Sequence, residues 1–140
     1  MECKKQPTCS GWSLLELLIT LACLGLLMTW ASQQYEHHLQ RKQRALARVQ
    51  LLHMALWMER SASMNGAYPL PAHIPNSVLV LPEASYRFSV NSSAEAFTVL
   101  ATPTGNQTLD ACGTLTLNHL GVRSMQQAAA SVTPQQCWLR

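Results

Sequence analysis

Apolar residues are concentrated near the N-terminus of the chain. Residues 12–31 read WSLLELLITLACLGLLMTWA and contain one charged side chain, the carboxylate of Glu16. A helix of this length is roughly 30 Å long, which matches the thickness of the hydrocarbon core of a bilayer. The pattern therefore predicts a membrane-spanning helix over residues 12–32.

A secretory signal peptide is the competing interpretation, because Lys4 and Lys5 precede the apolar run. Three features argue against it. The run is longer than a usual signal core, it carries a carboxylate near its start, and no small-x-small cleavage site follows Ala31. The chain continues instead into a polar and basic segment, which favours a helix over a signal peptide.

The helical pattern extends past the apolar run, since residues 33–63 contain no proline or glycine. Apolar residues recur there at helical spacing, which places them on one face. These residues are Leu39, Leu46, Val49, Leu52 and Leu56. We expect an amphipathic helix over residues 33–64, continuous with the first and giving a total length of roughly 78 Å. Its apolar stripe must be buried on something other than lipid, and its opposite face is basic. The basic residues are Arg41, Lys42, Arg44 and Arg48.

The region after the helix has the pattern of a small sheet. Asn65-Gly66 ends the helix, and four prolines exclude further helix from the connecting loop. These prolines are Pro69, Pro71, Pro75 and Pro82. Three runs then have strand character: Tyr86–Val90, Phe97–Ala101 and Thr114–Asn118. The predicted fold class is α+β, with one long N-terminal helix packed on a small antiparallel sheet formed by residues 65–140.

Two of the five cysteines, Cys112 and Cys137, fall in the region predicted to fold around the sheet. We expect them to form a disulfide that closes a loop of about 26 residues and contributes roughly 3 kcal/mol in the chain-entropy model. A persistent disulfide indicates an oxidising compartment and hence export. The alternative, two free buried thiols in a cytosolic domain, fits poorly beside a membrane segment. The positive-inside rule favours the cytoplasm for the basic cluster, and this conflicts with export.

Motifs for catalysis and metal binding are missing from the sequence. His37 and His38 are adjacent and point about 100° apart on a helix, so they are poorly placed to chelate one metal ion. The chain has no Cys-x-x-Cys or His-x-x-x-His spacing, no glycine-rich phosphate loop and no GxSxG turn. The net charge of +3 is too small to indicate nucleic-acid binding by itself. We expect no enzyme activity, no metal site and no cofactor.

The N-terminal residues resemble those of type IV pilins. Ser10-Gly11-Trp12-Ser13-Leu14-Leu15-Glu16-Leu17 is similar to the prepilin peptidase signal of that family, in which a short basic leader ends in glycine and the mature chain begins with an N-methylated aromatic residue. The fifth mature residue is glutamate in that family, and Glu16 is the fifth residue counted from Trp12. The resemblance implies a leader over residues 1–11, cleavage between Gly11 and Trp12, and methylation of Trp12.

A second resemblance lies near the C-terminus. Asp110-Ala111-Cys112-Gly113-Thr114-Leu115-Thr116-Leu117, followed by Gly121 and Cys137-Trp138, is similar to the disulfide-bounded region of type IVa minor pilins. The two resemblances imply a minor pilin. Such a subunit is first held by one span in the bacterial inner membrane with a periplasmic C-terminal domain. It then enters an extracellular pilus and serves in the assembly, initiation or tip function of that pilus. The implied partners are other pilin subunits, the prepilin peptidase and methyltransferase, and the inner membrane.

The carboxylate of Glu16 has a physical reason for a role in assembly. An unpaired carboxylate in lipid costs at least about 2.5 kcal/mol and marks function by default. Cleavage after Gly11 creates an amine at Trp12, and the resemblance implies that Glu16 neutralises this amine on a neighbouring subunit. The alternative is a carboxylate at the headgroup level near the edge of the span.

Two alternative functions follow from other residues. The first is a competence pilin that binds DNA through Arg87, Arg123 and Trp138, since cations beside an exposed ring suit phosphate contact and base stacking. The structural alternative is that Trp138 packs on the disulfide. The second is a type II secretion pseudopilin. Some pseudopilins bind calcium through clustered carboxylates, whereas Asp110 is the only acid after Glu95 in this chain.

Overall fold

The structure, a computed structural model, describes residues 13–79 and 85–139, without the side chains of residues 30–33. The chain divides into two compact units, with the boundary between His37 and His38. One helix, α1 (Leu14–Asn65), crosses this boundary. We call residues 38–140 the head region.

The part of α1 before the boundary exposes its apolar side chains. Leu14 is 83% exposed, Leu26 is 73% exposed, and the leucines between them are at least half exposed. An 18-residue window of α1 has a mean hydropathy of 2.0, and none of it is buried within the protein. By length and composition, α1 is therefore able to cross a membrane.

The loop that follows α1 contains two short helical segments, so the prediction that its prolines exclude further helix is wrong. A 3-10 turn covers Pro71–His73, and α2 covers Asn76–Leu79. Pro71 is the first residue of the turn, and Pro75 directly precedes α2. Proline suits the first position of a helix, because its missing N–H has no partner there in any case. Pro71 therefore begins the 3-10 turn, and Pro75 lies at the residue just before α2.

Within the described residues, four antiparallel strands form one sheet in the order β1-β2-β3-β4. Their bounds are β1 (Tyr86–Ser92), β2 (Phe97–Pro103), β3 (Thr114–Asn118) and β4 (Arg123–Gln126), and α3 (Pro134–Leu139) follows them. The three runs with strand character are β1, β2 and β3, as predicted. The sequence analysis missed β4 because this four-residue strand is mostly exposed and has no apolar alternation.

One face of the sheet packs on α1. In β1, Tyr86, Phe88 and Val90 are buried, whereas Arg87 and Ser89 are exposed. This alternation is the pattern of a strand with one buried and one exposed face. Val90 pairs with Val99 of β2, which pairs in turn with Leu117 of β3, and all three residues are buried. The core is therefore a layer of apolar side chains between the sheet and the helix.

The sheet covers a different face of α1 from the stripe recognised in the sequence. In the described part of α1, the buried apolar residues are Ala47, Leu51, Met54 and Met58, each at most 1% exposed. Val49 is 52% exposed and Leu56 is 49% exposed, so the expectation that their stripe is buried is wrong for the chain by itself. The head part of α1 carries two apolar stripes at helical spacing, and the sheet packs on the one that contains the two methionines.

Candidate assembly site and disulfide region

Glu16 lies in the first turn of α1 and is exposed among leucines. The hydroxyl of Thr20 donates to the carbonyl of Leu17 at 2.9 Å, and that of Thr29 donates to the carbonyl of Leu26 at 2.8 Å. These hydroxyls are thus satisfied inside the helix, whereas a carboxylate needs a cation in apolar surroundings. The predicted cleavage and methylation positions, Gly11 and Trp12, lie outside the described residues.

The disulfide Cys112–Cys137 is present, as the sequence analysis expects, with a Cα–Cα distance of 5.8 Å. Both cysteines are buried in the core of the head region. The bond joins the segment before β3 to α3, and so ties the C-terminal helix to the centre of the sheet. Among the cysteines that the structure describes, Cys23 is unpaired and exposed on α1.

Asp110 links the disulfide region to α1. Its Oδ2 accepts a hydrogen bond from Nε of Arg44 at 3.0 Å, and its Oδ1 accepts one from the backbone N–H of Cys112 at 3.2 Å. Nη1 of Arg44 also lies 2.8 Å from Sγ of Cys112. The side chains of Arg44 and Asp110 are only 13% and 4% exposed, so the pair is largely removed from water. It fixes the turn before β3 against the helix.

Gln107 extends this polar cluster toward β1. Its Nε2 donates to Oδ2 of Asp110 at 2.8 Å, to the hydroxyl of Tyr86 at 3.0 Å and to the carbonyl of Gln40 at 3.2 Å. Burial, and then the negative charge of Asp110, raises the pKa of Tyr86 to about 12. Every buried side-chain nitrogen or oxygen in the described part of the chain has a hydrogen-bond partner. The cluster is therefore a satisfied structural network.

Arg48 holds the C-terminal helix against α1. Its Nη1 donates to the backbone carbonyl of Trp138 at 2.6 Å, and burial, followed by the charge of Arg44, lowers its pKa. Arg44 and Arg48 were expected on a basic face opposite the packed stripe, and the structure corrects this, because both make contacts inside the head region. Arg41 and Lys42 remain exposed.

Of the three residues predicted to contact DNA, the structure brings only Arg123 and Trp138 together. The guanidinium of Arg123 lies 5.7 Å from the ring centroid of Trp138. Trp138 is only 6% exposed, and its Nε1 donates to the carbonyl of Ser124 at 3.1 Å, so little of its ring is available for stacking. Arg87 lies on β1, at the opposite edge of the sheet from Arg123 on β4.

Sequence reasoning missed the polar cluster as a unit. Arg44, Gln107 and Tyr86 have no motif that connects them, because they lie far apart in the sequence. One signal was present, since Asp110 is the only acid after Glu95 and lies two residues before Cys112. An isolated acid beside a buried disulfide is expected to have a buried cationic partner. Within the residues that the structure describes, no group of three or more metal-binding side chains occurs.

Residues 34–116 match a family model described as "Type IV minor pilin ComP, DNA uptake sequence receptor". The match covers more than half of the chain. The chain belongs to this family. As a type IV minor pilin, it is a structural subunit that assembles with other pilin subunits in a pilus. Family membership also decides between the pilin and pseudopilin alternatives in favour of a pilin.

Solved structures agree with this assignment. The minor pilin resembles a type IV pilin from Shewanella oneidensis with 33% sequence identity and a TM-score of 0.52, over 66% of this chain and 99% of that one. It also resembles the non-core minor pilin PilV of Neisseria meningitidis with a TM-score of 0.54, over 69% of this chain and 93% of that one. The identity to PilV is 22%, so that likeness shows the fold alone. No curated protein sequence matches the chain.

Proposed function

We propose that this minor pilin is made as a membrane-inserted precursor and is cut between Gly11 and Trp12 before it enters the pilus. In this proposal residues 1–11 form the leader, residues 12–32 the membrane and assembly segment, residues 33–64 the amphipathic half of the helix, and residues 65–140 the globular β region. Trp12 becomes the N-methylated first residue. Membership of the minor pilin family is the observation that carries the proposal.

Glu16 is the residue that we assign to docking in the filament. It is the only charged side chain between Leu14 and Met28, and among the described residues the ion pairs do not include it. A carboxylate in lipid is costly, and pairing with the new amine of Trp12 on a neighbouring subunit relieves that cost. Entry into the filament then becomes favourable for the processed chain and unfavourable for the uncut one.

We place the head region on the periplasmic side of the bacterial inner membrane before assembly. The buried disulfide supports this location, because disulfides persist in oxidising compartments. The basic cluster argues against this location less strongly than it did from the sequence, since Arg44 is neutralised by Asp110 and Arg48 binds a backbone carbonyl. Only Arg41 and Lys42 of the four cations remain exposed to oppose export under the positive-inside rule.

The minor pilin acts as a structural subunit and carries out no reaction of its own in this proposal. The polar cluster around Asp110 supports this view, because its groups satisfy one another. A catalytic cluster would instead present a nucleophile or base toward a substrate. The enzymes in the proposed sequence of events are the prepilin peptidase and methyltransferase, which act on the chain.

Mass spectrometry of the membrane-extracted protein tests the processing step. In cells that contain the prepilin peptidase, we expect a chain that starts at Trp12 and carries one methyl group. Cells without the peptidase provide the control and should contain a chain that starts at Met1. A chain that still starts at Met1 in peptidase-competent cells would contradict the proposal.

Replacement of Glu16 tests the docking step. Glu16→Ala should leave the protein in the membrane fraction and strongly reduce its recovery in sheared pili, because the neighbouring amine loses its partner. Glu36→Ala is the matched control, since Glu36 is an exposed acid on the same helix outside the apolar run. Equal recovery of Glu16→Ala and the unaltered chain would show that docking does not depend on this carboxylate.

A DNA-binding competence pilin is the second candidate function, and the family description, which names a DNA uptake sequence receptor, favours it. Arg123 and Trp138 lie outside the matched residues, and Arg87 lies within them. The head region should then retard duplex DNA in a gel with a strong dependence on salt, because phosphate contacts release counterions. Arg87→Gln should weaken this shift relative to Arg41→Gln. No shift at low salt would end this candidate.

A further inference from the structure

A groove runs between α1 and the end of the sheet where β3 turns into β4. Its volume is about 290 Å³, at the lower end of the roughly 300–1,000 Å³ of small-molecule pockets. The apolar residues of its lining include Leu52, Ala55, Leu56 and Leu117. Glu59 and Arg123 lie among the polar lining residues, so both signs of charge are present. This lining suits a few side chains of a protein partner.

The groove is continuous with the exposed apolar stripe of α1. Leu52 and Leu56 belong to both, and they are 44% and 49% exposed. Leu46 and Val49 extend the same stripe and are 43% and 52% exposed. Exposed apolar residues grouped in this way are typical of a surface that another protein covers. We call the stripe and the groove together the lateral surface.

A minor pilin needs such a surface because it assembles with other pilin subunits. A filament of repeated subunits uses contacts between two different faces of neighbouring molecules, so each subunit requires an acceptor face. We propose that the lateral surface is the acceptor face for a neighbouring pilin subunit, and that an apolar side chain of this neighbour fills the groove.

Glu59 and Arg123 are suited to fix the register of the incoming subunit. Oε1 of Glu59 accepts a hydrogen bond from the hydroxyl of Tyr68 at 3.0 Å, and Arg123 lies over the ring of Trp138. Both charged groups are therefore held in place before the partner arrives, which reduces the ordering cost of the contact. Charges of both signs at one site favour a partner with complementary charges in one orientation.

A substitution that fills the groove tests this contact in the full-length chain. Ala55→Leu should lower recovery of the minor pilin in sheared pili by roughly tenfold or more, because the incoming side chain loses its space. Ala130→Leu is the matched control, since Ala130 is exposed in the segment between β4 and α3. Because Ala55 also packs against the core, the melting temperature of the head region is measured in both variants. Leu56→Ala removes an exposed side chain of the same surface, and it should lower recovery in pili with the melting temperature unchanged. Recovery of Ala55→Leu at the level of Ala130→Leu would overturn the proposal.

A photo-crosslinking amino acid identifies the occupant. At position 56 it should give a crosslink to another pilin in piliated cells and none in cells without the prepilin peptidase. At position 109, where Leu109 is 80% exposed and lies outside the groove, it should give little crosslinking. A crosslink from position 56 that persists without the peptidase, or that joins a protein other than a pilin, would overturn the assignment.

The two docking proposals fail in distinguishable ways. If Glu16→Ala abolishes recovery in pili but Ala55→Leu does not, the contact at Glu16 stands and the lateral surface is not an acceptor face. If Ala55→Leu abolishes recovery and Glu16→Ala does not, the lateral surface stands and the electrostatic docking of the N-terminus is wrong.

Discussion

Individual side chains of the head region act through contacts between residues that are distant in the sequence. Arg44 and Asp110 are 66 residues apart and form an ion pair that is largely buried, with the sulfur of Cys112 beside it. Because Asp110 also accepts hydrogen bonds from Gln107 and from the backbone of Cys112, one carboxylate joins α1, the turn before β3 and the disulfide. Asp110 therefore stabilises three parts of the head region, although no sequence motif indicates this role.

Removal of the Asp110 carboxylate should destabilise the head region. We expect Asp110→Ala to lower the free energy of unfolding by roughly 3 kcal/mol, because it leaves the guanidinium of Arg44 without its partner. Urea denaturation of the head region measures the loss. Glu95→Ala is the control, since Glu95 is exposed and its loss should change stability by less than about 0.5 kcal/mol. Similar losses in the two variants would contradict the structural role of the pair.

Gly113 is required by space and by backbone conformation together. Its φ is 58°, and a Cβ built on it would lie 2.5 Å from the backbone oxygen of Gln126. Gly105 has nearly the same φ of 55° but open space around it. Gly105→Ala should therefore cost about 1–2 kcal/mol from conformation alone, and Gly113→Ala clearly more. Chemical denaturation of both variants distinguishes them, and equal losses would show that the close approach does not matter.

The raised pKa of Tyr86 predicts a loss of stability at alkaline pH. A tyrosine ordinarily has a pKa of about 10, and burial and Asp110 raise that of Tyr86 to about 12. The folded state thus favours the neutral phenol. The stability that Tyr86 contributes in this way is complete below about pH 10 and is lost as the pH rises toward 12. Tyr86→Phe should unfold with a weaker pH dependence in this window. Parallel curves for the two proteins would contradict the assignment.

At the scale of elements, α1 is a helix with two apolar faces in its second part. One face forms the core with the sheet through Leu51, Met54 and Met58, and the other is exposed. A helix that packs on its own domain needs a single stripe. The second stripe is therefore consistent with the assembly of this family into pili, in which a neighbouring subunit can cover it.

Leu51 and Leu52 are adjacent leucines that test which face packs on the sheet. Leu51 is fully buried and Leu52 is 44% exposed. Leu51→Ala should destabilise the head region by about 2–5 kcal/mol through cavity formation, and Leu52→Ala by only about 0.5 kcal/mol. Thermal or urea unfolding measures both losses. A larger loss for Leu52→Ala would reverse the assignment of the two faces.

At the scale of the whole molecule, the C-terminal helix is held in place by contacts from other elements. A six-residue helix has no stability of its own in water. The disulfide joins α3 to the segment before β3, Arg48 of α1 binds the carbonyl of Trp138, and Trp138 donates to β4. The last residues of the chain thereby close the core of the head region.

Removal of the disulfide should loosen this closure. We expect Cys112→Ala/Cys137→Ala to lower the free energy of unfolding by roughly 3 kcal/mol, because the unfolded chain gains the freedom that the loop removed. Thermal unfolding of the detergent-solubilised full chain measures the loss. Cys23→Ala is the control and should leave head stability unchanged, since Cys23 lies on the part of α1 outside the head region. An undiminished melting temperature in the double variant would contradict the structural role.

Local sequence patterns are sufficient to predict several elements of this protein. The apolar run of α1 and the alternation in β1 follow from short-range patterns, because helix and strand periods repeat within a few residues. The pairing of Cys112 with Cys137 follows from another signal, since both lie in the region predicted to fold around the sheet. The pilin resemblance likewise depends on contiguous motifs near each end of the chain.

Which surfaces pack against each other depends on tertiary contacts. Both stripes of α1 satisfy the helical period, and the choice between them depends on which one complements the sheet, a property of two segments together. The Arg44–Asp110 pair and the position of α3 are long-range contacts of the same kind. Burial and charge pairing favour these contacts in the folded chain. The sequence of one segment does not identify the segment that it contacts.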